Sequence, residues 1–459
     1  MNSAIGLRQM FPWQTNKILV IVISFLPAKV ANVLHIFQCF HFGDGRCSNT
    51  LELFQIIEYI RAPMSPELQI FAFPLSLILA AALFVAAYLC PKKCPRILSL
   101  VVLCLLAVGF AVLGCLKPEP GYRYWLAPLL LAAIFLSALA ARDGFRERRD
   151  PGFTLSHLGL SVLLASSFFG APDSVSSAII LEQGRPSHLT EDSIPLPFEL
   201  ELKEVHTEFY EGRAVPKQYV ATLALDSKTR RVSVNHPALH KGWLVYISDF
   251  DRESGRKAML RLVRNPSIPG VLAGMILLLV ASVLSLRRSW SSRYVLPAVI
   301  VLAVVFTLVS VSRIRFATLP PALRSFWFAP HLIVYMIAYA TLALSLVCCI
   351  LSFFPRFGKA SALASNLLRT SSSLILMGII FGSIWAQLSW GDYWAWDAKE
   401  CWAAATYILT LCAIHLPAGS RRASLLAALL IAFASMQMTW YGVNYLPSAQ
   451  NGPHVYNSK

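Results

Sequence analysis

Long apolar runs dominate this sequence and limit the folds open to it. Stretches of about 20 apolar residues are long enough to cross the hydrocarbon core of a bilayer as helices. Ten occur, at about 69–89, 97–116, 122–141, 152–170, 268–286, 294–311, 329–352, 370–389, 400–417 and 422–441. An eleventh, about 17–38, carries Pro27 and Lys29 in its middle. Only 14% of the residues are charged, against about a quarter in a soluble chain, so the bilayer is the solvent for most of the protein. The expected fold is an all-α polytopic membrane bundle of about 10–11 transmembrane helices with one small extracytoplasmic β-rich domain.

The formal net charge of +16 does not point to nucleic acid. The Lys and Arg residues sit in short clusters between apolar runs, the pattern of loops retained in the cytoplasm. One alternating set holds Lys92, Lys93 and Arg96; Arg142, Arg146, Arg148 and Arg149; Arg287, Arg288 and Arg293; Arg356, Lys359 and Arg369; and Arg421 with Arg422. That side is expected to be cytoplasmic. The stretch 173–267, the loop after residue 389 and the C-terminal tail then face outward, although Arg313, Arg315 and Arg324 depart from the rule. Residues 1–63 are either an extra span or an overlong start ahead of Met64, and show no clear signal-peptide cleavage site.

The polar stretch 173–267 reads as β structure. LPFELELKEV, QYVATLALDS and RRVSVNHPAL alternate apolar and polar residues, and GWLVYISDF is rich in aromatic and branched ones. Asp226-Ser227, Asn235, Gly242 and Gly255 supply turns. The stretch holds none of the ten cysteines, so no disulfide framework is expected in it, and its length suits one small sandwich or half-barrel. No C-x-x-C-H occurs, so the chain is not itself a covalent c-type haem carrier.

Residues 390–402 read W-G-D-Y-W-A-W-D-A-K-E-C-W. An interfacial aromatic belt accounts for one or two tryptophans at a helix end. It leaves unexplained why Trp390, Trp394, Trp396 and Trp402 interleave with Asp397, Lys399 and Glu400. Flat rings beside a few fixed charges suit a planar aromatic ligand with apolar faces and a polar edge, and Gly391 permits close approach or a turn. Chemistry alone leaves both readings open. The segment resembles the tryptophan-rich "WWD" signature of the haem-handling superfamily that includes CcsA/ResC, CcmC and CcmF. Ala398 departs from it where Pro is expected, which implies a less rigid loop. The resemblance implies an outward haem platform built from Trp390, Gly391, Trp394, Trp396, Asp397, Lys399, Glu400 and Trp402.

Haem iron takes axial ligands such as His. His331, after Pro330 at the outer start of its span, and His454, in the tail, both lie on the side of the tryptophan loop. Their surroundings, FWFAPHLIVYMIAY and WYGVNYLPSAQNGPH, resemble the segments carrying the two external histidines of CcsA. By that resemblance they form an outer axial pair. His157 and His415 lie inside apolar runs at a similar inner depth. Ionisable residues within a membrane are functional candidates. The alternatives are core histidines bonded to a neighbouring helix, or side chains snorkelling to the interface. The resemblance to fused CcsB–CcsA proteins implies a second haem site held by this pair.

Within 196–266, PFELEL, FYEGRAVPKQYVA, VSVNHP, KGWLVYISDFD and LVRNP resemble, in that order, a trimmed extracytoplasmic domain of ResB/CcsB. The implied organisation is a ResB-like half at 64–290 and a CcsA/ResC-like half at 291–459, a compact CcsBA-type fusion in a bacterial cytoplasmic membrane. The implied function is haem transport across that membrane, with covalent attachment of the vinyl groups of haem b to the CXXCH cysteines of apocytochrome c, as in a holocytochrome c synthase. His331, His454 and Asp397 form the implied catalytic set; Asp397 and Glu400 orient the loop or handle protons, and Lys399 is the favoured propionate partner. Implied partners are haem, apocytochrome c, a thiol-reducing pathway and membrane lipid. A haem exporter that makes no thioether and a bis-histidine electron-transfer protein are the alternatives.

Overall fold

The computed structural model describes residues 75–116, 126–252, 254–290, 293–313, 319–417 and 422–449, all within one compact unit, Pro63–Lys459. The expected N-terminal span and His454 lie outside them.

Helices stand at each of the ten apolar runs: α1 (Leu75–Leu89), α2 (Arg96–Cys115), α3 (Ala127–Arg146), α4 (Pro151–Gly170), α5 (Ile268–Ser289), α6 (Val295–Arg313), α7 (Phe328–Leu351), α8 (Ala360–Trp390), α9 (Ala398–Ile414) and α10 (Arg422–Trp440). Among the described residues, α2, α3, α4, α5, α7, α8 and α10 are long and apolar enough to cross a membrane, while α1 and α9 have only 15 and 17 residues. The multi-pass membrane fold is as expected.

Two boundaries differ from the apolar runs. α8 has 31 residues, about 46 Å at 1.5 Å per residue, because its first turns bury Ala364, Leu367 and Leu368 while the polar residues between them face away. α3 runs on through Arg142 and Asp143, which satisfy each other. Arg142 also donates to the carbonyls of Ala87 and Cys90 and, at 2.8 Å, of Lys92, while Asp143 accepts from the Cys94 N–H at 2.9 Å. Arg142 thus holds the unpartnered end of α1 and is not a solvent-facing loop charge. Small residues set the helix spacing elsewhere. A Cβ on Gly274 would stand 2.6 Å from the Leu163 nitrogen, and one on Gly159 3.0 Å from that of Leu278, so α4 and α5 pack nearly backbone to backbone. Buried hydroxyls join the other half: Ser289 to Thr370, Ser371 to the Ala338 carbonyl and Thr410 to Ser372.

Between α4 and α5 lies the β domain, two four-stranded antiparallel sheets. One has the order β1 (Val175–Glu182), β8 (Lys257–Arg264), β7 (Trp243–Phe250), β6 (Ala238–His240); the other runs β2 (Ser187–Leu189), β3 (Pro195–Phe209), β4 (Pro216–Leu225), β5 (Lys228–Ser233). Alternation explains the packing. On β3, Leu196, Phe198, Leu200 and Leu202 are buried and Glu199 and Glu201 turn outward. The inner faces share a core with Leu223, Leu225, Val245, Leu260 and Leu262, which makes the unit a small sandwich. Asp226, Asn235, Gly242 and Gly255 all have positive φ, as their turns require. Hydrogen bonds from His240 and Lys241 hold the Asp226 carboxyl well below the usual carboxylate range.

Candidate functional site

α8 stops at Gly391, whose φ of +88° is the left-handed conformation that ends helices without steric cost. Five residues later Trp396 also takes a positive φ, +60°. For a bulky residue this is strained, and such strain concentrates at functional sites. Asp397 then starts α9. Its carboxylate accepts from the Glu400 N–H at 2.7 Å, and the Glu400 carboxylate accepts from the N–H groups of Ala395 at 2.8 Å and Asp397 at 3.3 Å. The pair is a reciprocal capping box, so both acids brace the loop. Lys399 lies in the first turn of α9, half-buried.

The four tryptophans divide between two surroundings. Trp390 packs on Trp385 at 5.1 Å, and Trp385 packs on His331 at 5.9 Å. Trp394 and Trp396 meet each other edge to face at 6.3 Å, and Trp396 stacks on Phe110 of α2 at 5.6 Å with the rings 6° from parallel. Trp402 lies on Gly114, where a Cβ would come within 2.7 Å of its indole. Its indole N–H is buried and has no hydrogen-bond partner among the described residues.

His331 is half-buried in the first turn of α7 and its Nδ1 donates to the Gly378 carbonyl at 2.8 Å. A carbonyl only accepts, so in the neutral ring the lone pair is on Nε2, the form suited to a metal. The structure therefore brings His331 to the Trp390 end of the loop through Trp385; His454 lies outside the described residues.

His157 on α4 and His415, the C-cap of α9, stand at the end of the bundle away from the tryptophan loop. Their ring centroids are 6.2 Å apart and their planes cross at 71°. Each Nδ1 donates to the carbonyl four residues back, Phe153 and Leu411, at 2.8 Å. Both Nε2 atoms consequently carry lone pairs. Two imidazoles that bind one metal from opposite sides through Nε2, with metal–nitrogen bonds of about 2 Å, have centroids roughly 6 Å apart, and the spacing of His157 and His415 matches that value. Contacts between Arg288 and Asp150, and between Arg422 and the Ser352 carbonyl, gather basic loops at this same end.

Sequence reasoning missed the β-domain residues that reach the loop. Arg261 donates to the Trp390 carbonyl and pairs with Asp392, both at 2.7 Å, and Tyr246 accepts from Gln387 at 3.0 Å. It also missed Phe110, which nothing in its own segment distinguishes. The capping box was readable as Asp-x-x-Glu before an apolar run.

A family profile described as "Cytochrome C assembly protein" matches residues 268–449, and one described as "ResB-like family" matches residues 137–270. The cytochrome c biogenesis protein CcsA of Guillardia theta is 30% identical over 179 residues, 30% of this chain and 57% of that protein. CcsA of Gloeobacter violaceus is 38% identical over 98 residues, 20% and 28% of the respective chains. Protein NrfI of Wolinella succinogenes is 30% identical over 149 residues, covering 28% of this chain and 16% of its own. The chain thus spans at most 57% of the length of these three relatives. The chain thus carries a ResB-like segment followed by a cytochrome c assembly segment, and its second half is similar to CcsA cytochrome c biogenesis proteins.

Proposed function

We propose that this protein carries haem b across a bacterial cytoplasmic membrane and attaches it to the CXXCH cysteines of apocytochrome c. The observation that carries the haem reading is the approach of His157 and His415, two imidazoles from distant parts of the chain, oriented by their own helices and separated by the span of one iron. Haem has an apolar body and two anionic propionates, so a protein path spares it the cost of placing charge in hydrocarbon. In this reading the basic loops face the cytoplasm, the inner pair receives haem, and the β domain and tryptophan loop stand outside. The ResB-like half, 64–290, supplies the β domain and the half at 291–459 supplies the platform.

At the outer site His331 and His454 hold the iron. Trp390, Trp394, Trp396 and Trp402 line the platform around the macrocycle, with Gly391 at its turn, and Lys399 pairs with a propionate. Asp397 and Glu400 keep the loop in shape. Each apocytochrome thiol then adds across a vinyl group: a sulfur–carbon bond forms at one vinyl carbon and a proton goes to the other. The incoming histidine of CXXCH replaces one protein ligand. The site contributes position, holding substrate and thiols in one geometry, while a thiol-reducing pathway keeps the cysteines available.

The test is purification of the chain, its haem spectrum and its haem stoichiometry, for the wild type and for the pairs His157→Ala/His415→Ala and His331→Ala/His454→Ala. Each pair is expected to lose one haem. Unchanged content and spectrum in both would overturn the reading. Co-expression with an apocytochrome in cells without other maturation factors separates thioether synthesis from haem delivery alone. The inner pair by itself also fits a bis-histidine electron-transfer protein, and that reading predicts a single haem and no covalent product.

A further inference from the structure

Polar contacts from the β domain reach both flanks of the outer site. On one flank Arg261 of β8 sends Nη1 to the Trp390 carbonyl and Nη2 to the Asp392 carboxylate, both at 2.7 Å, with its Nε anchored on Ser176 of β1 at 2.9 Å. Tyr246 of β7 accepts from Gln387 at 3.0 Å. A Cβ on Gly391 would stand 2.9 Å from Val263 and 3.1 Å from Tyr246, so the loop's first residue rests directly on the sheet. On the other flank Asn235, buried and left-handed at φ +67°, accepts from Ser389 and donates to the carbonyls of Pro321 at 2.9 Å and Ala322 at 3.3 Å. The Pro321–Leu323 turn leads into α7 and His331. Trp385 donates to the same Ala322 carbonyl at 2.9 Å.

The physical case rests on what Arg261 grips. The Trp390 carbonyl is among the last of α8, which have no partner within the helix. A guanidinium there meets the negative end of the helix dipole. Its rigid fork engages two acceptors in one plane, which an ammonium group does not do. It therefore fixes the backbone on either side of Gly391, from which the Trp390 ring projects onto Trp385 and, through Trp385, toward His331.

We propose that Arg261 is a positioning residue for the outer haem platform, acting across the boundary between the ResB-like and cytochrome c assembly segments. It sets the Trp390–Asp392 backbone while Asn235 fixes the flank that leads to His331. This rests on the haem reading above. The β domain is then part of the site's scaffold, and its seating governs how the platform holds haem.

The experiment uses the full chain carrying His157→Ala and His415→Ala, so that outer-site haem is read alone, by its spectrum, stoichiometry and midpoint potential. In that background Arg261→Ala is expected to weaken haem retention roughly tenfold, the factor that about one charge-assisted hydrogen bond corresponds to, and to shift the spectrum of the haem that remains. Arg261→Lys recovers part of the loss. Asp392→Asn, which leaves the grip on the Trp390 carbonyl, gives a smaller loss and serves if the alanine variant does not fold. Adding Asp392→Asn to Arg261→Ala changes nothing further. Wild-type haem content, spectrum and potential in Arg261→Ala, or in Asp392→Asn should that variant stand in, would overturn the proposal. So would an equal loss of inner-site haem when the same substitution is made in a His331→Ala/His454→Ala chain, since that marks a general folding defect. If the parent His157→Ala/His415→Ala chain carries no haem, it is the outer-site reading that falls, and the proposal with it.

Discussion

His157 and His415 hold their rings 6.2 Å apart across the interface between α4 and the end of α9, each with Nδ1 bonded to its own helix. This places two neutral imidazoles with their second nitrogens available at the end of the bundle where the basic loops gather. Losing either ligand disrupts the same site. His157→Ala and His415→Ala are therefore expected to abolish the inner haem signal individually, and the double variant to be no worse than either single one. Absorbance of the reduced, purified protein with haem quantified per chain measures this. Fully additive losses would mean that the two histidines act separately.

Asp397 has a bracing role that substitution separates from proton handling. Asp397→Ala removes the N-cap of α9 and is expected to cost about 0.5–2 kcal/mol of stability. Asp397→Asn keeps an oxygen acceptor for the Glu400 N–H and is expected to retain near wild-type thermal stability and cytochrome assembly. A variant that melts normally but assembles nothing would reassign Asp397 to the chemistry.

Gly391 is held by two independent constraints. Its φ of +88° disfavours any side chain, at a cost of roughly 1–3 kcal/mol, and an added Cβ presses on Val263 and Tyr246. Gly391→Ala is expected to lower the melting temperature and loosen the β domain from α8. Combining it with Val263→Ala should restore part of the loss, because space is regained while the backbone strain stays. Thermal unfolding of the three variants checks both statements.

Alkaline pH is expected to act on the same contact. Burial pushes the Tyr246 phenol up to about 12, above its ordinary value of about 10. The folded protein thus holds this proton more tightly than the unfolded chain. The resulting stabilisation is complete below about pH 10 and is lost as pH rises through about 12. Hydrogen exchange of β7 and the end of α8 should accelerate across that window. Tyr246→Phe removes the titration, and an unchanged alkaline transition in that variant would assign it elsewhere.

Much of this architecture was legible in residue order. Each of the ten apolar runs among the described residues is a helix, and Asp226, Asn235, Gly242 and Gly255, which mark turns between the strands, all take positive φ. These are local matters: a helix needs an apolar stretch of sufficient length, a half-buried strand needs alternation, and Gly, Asn and Asp enter left-handed turns at the least cost. β1 and β8 carry little signal of their own in the sequence. Their alternation is short, and pairing across the whole domain, Val175 with Arg264 through Glu182 with Lys257, makes them strands. α8 begins at Ala360, ahead of its apolar run at 370–389, because its first turns are amphipathic and their burial depends on neighbouring helices.

The candidate site was half legible. The sequence by itself determined that a tryptophan-rich turn would join two helices, with acids and a lysine at fixed spacing, and that His157 and His415 would lie at similar depth. Tertiary structure alone decided that those two rings come within 6.2 Å of each other, that the tryptophans part between Trp385 and Phe110, and that Arg261 reaches across to the Trp390 carbonyl. The reason is physical. Hydrophobicity and spacing report free energies paid residue by residue along the chain, whereas these encounters depend on how helices and sheets distant in sequence settle against one another.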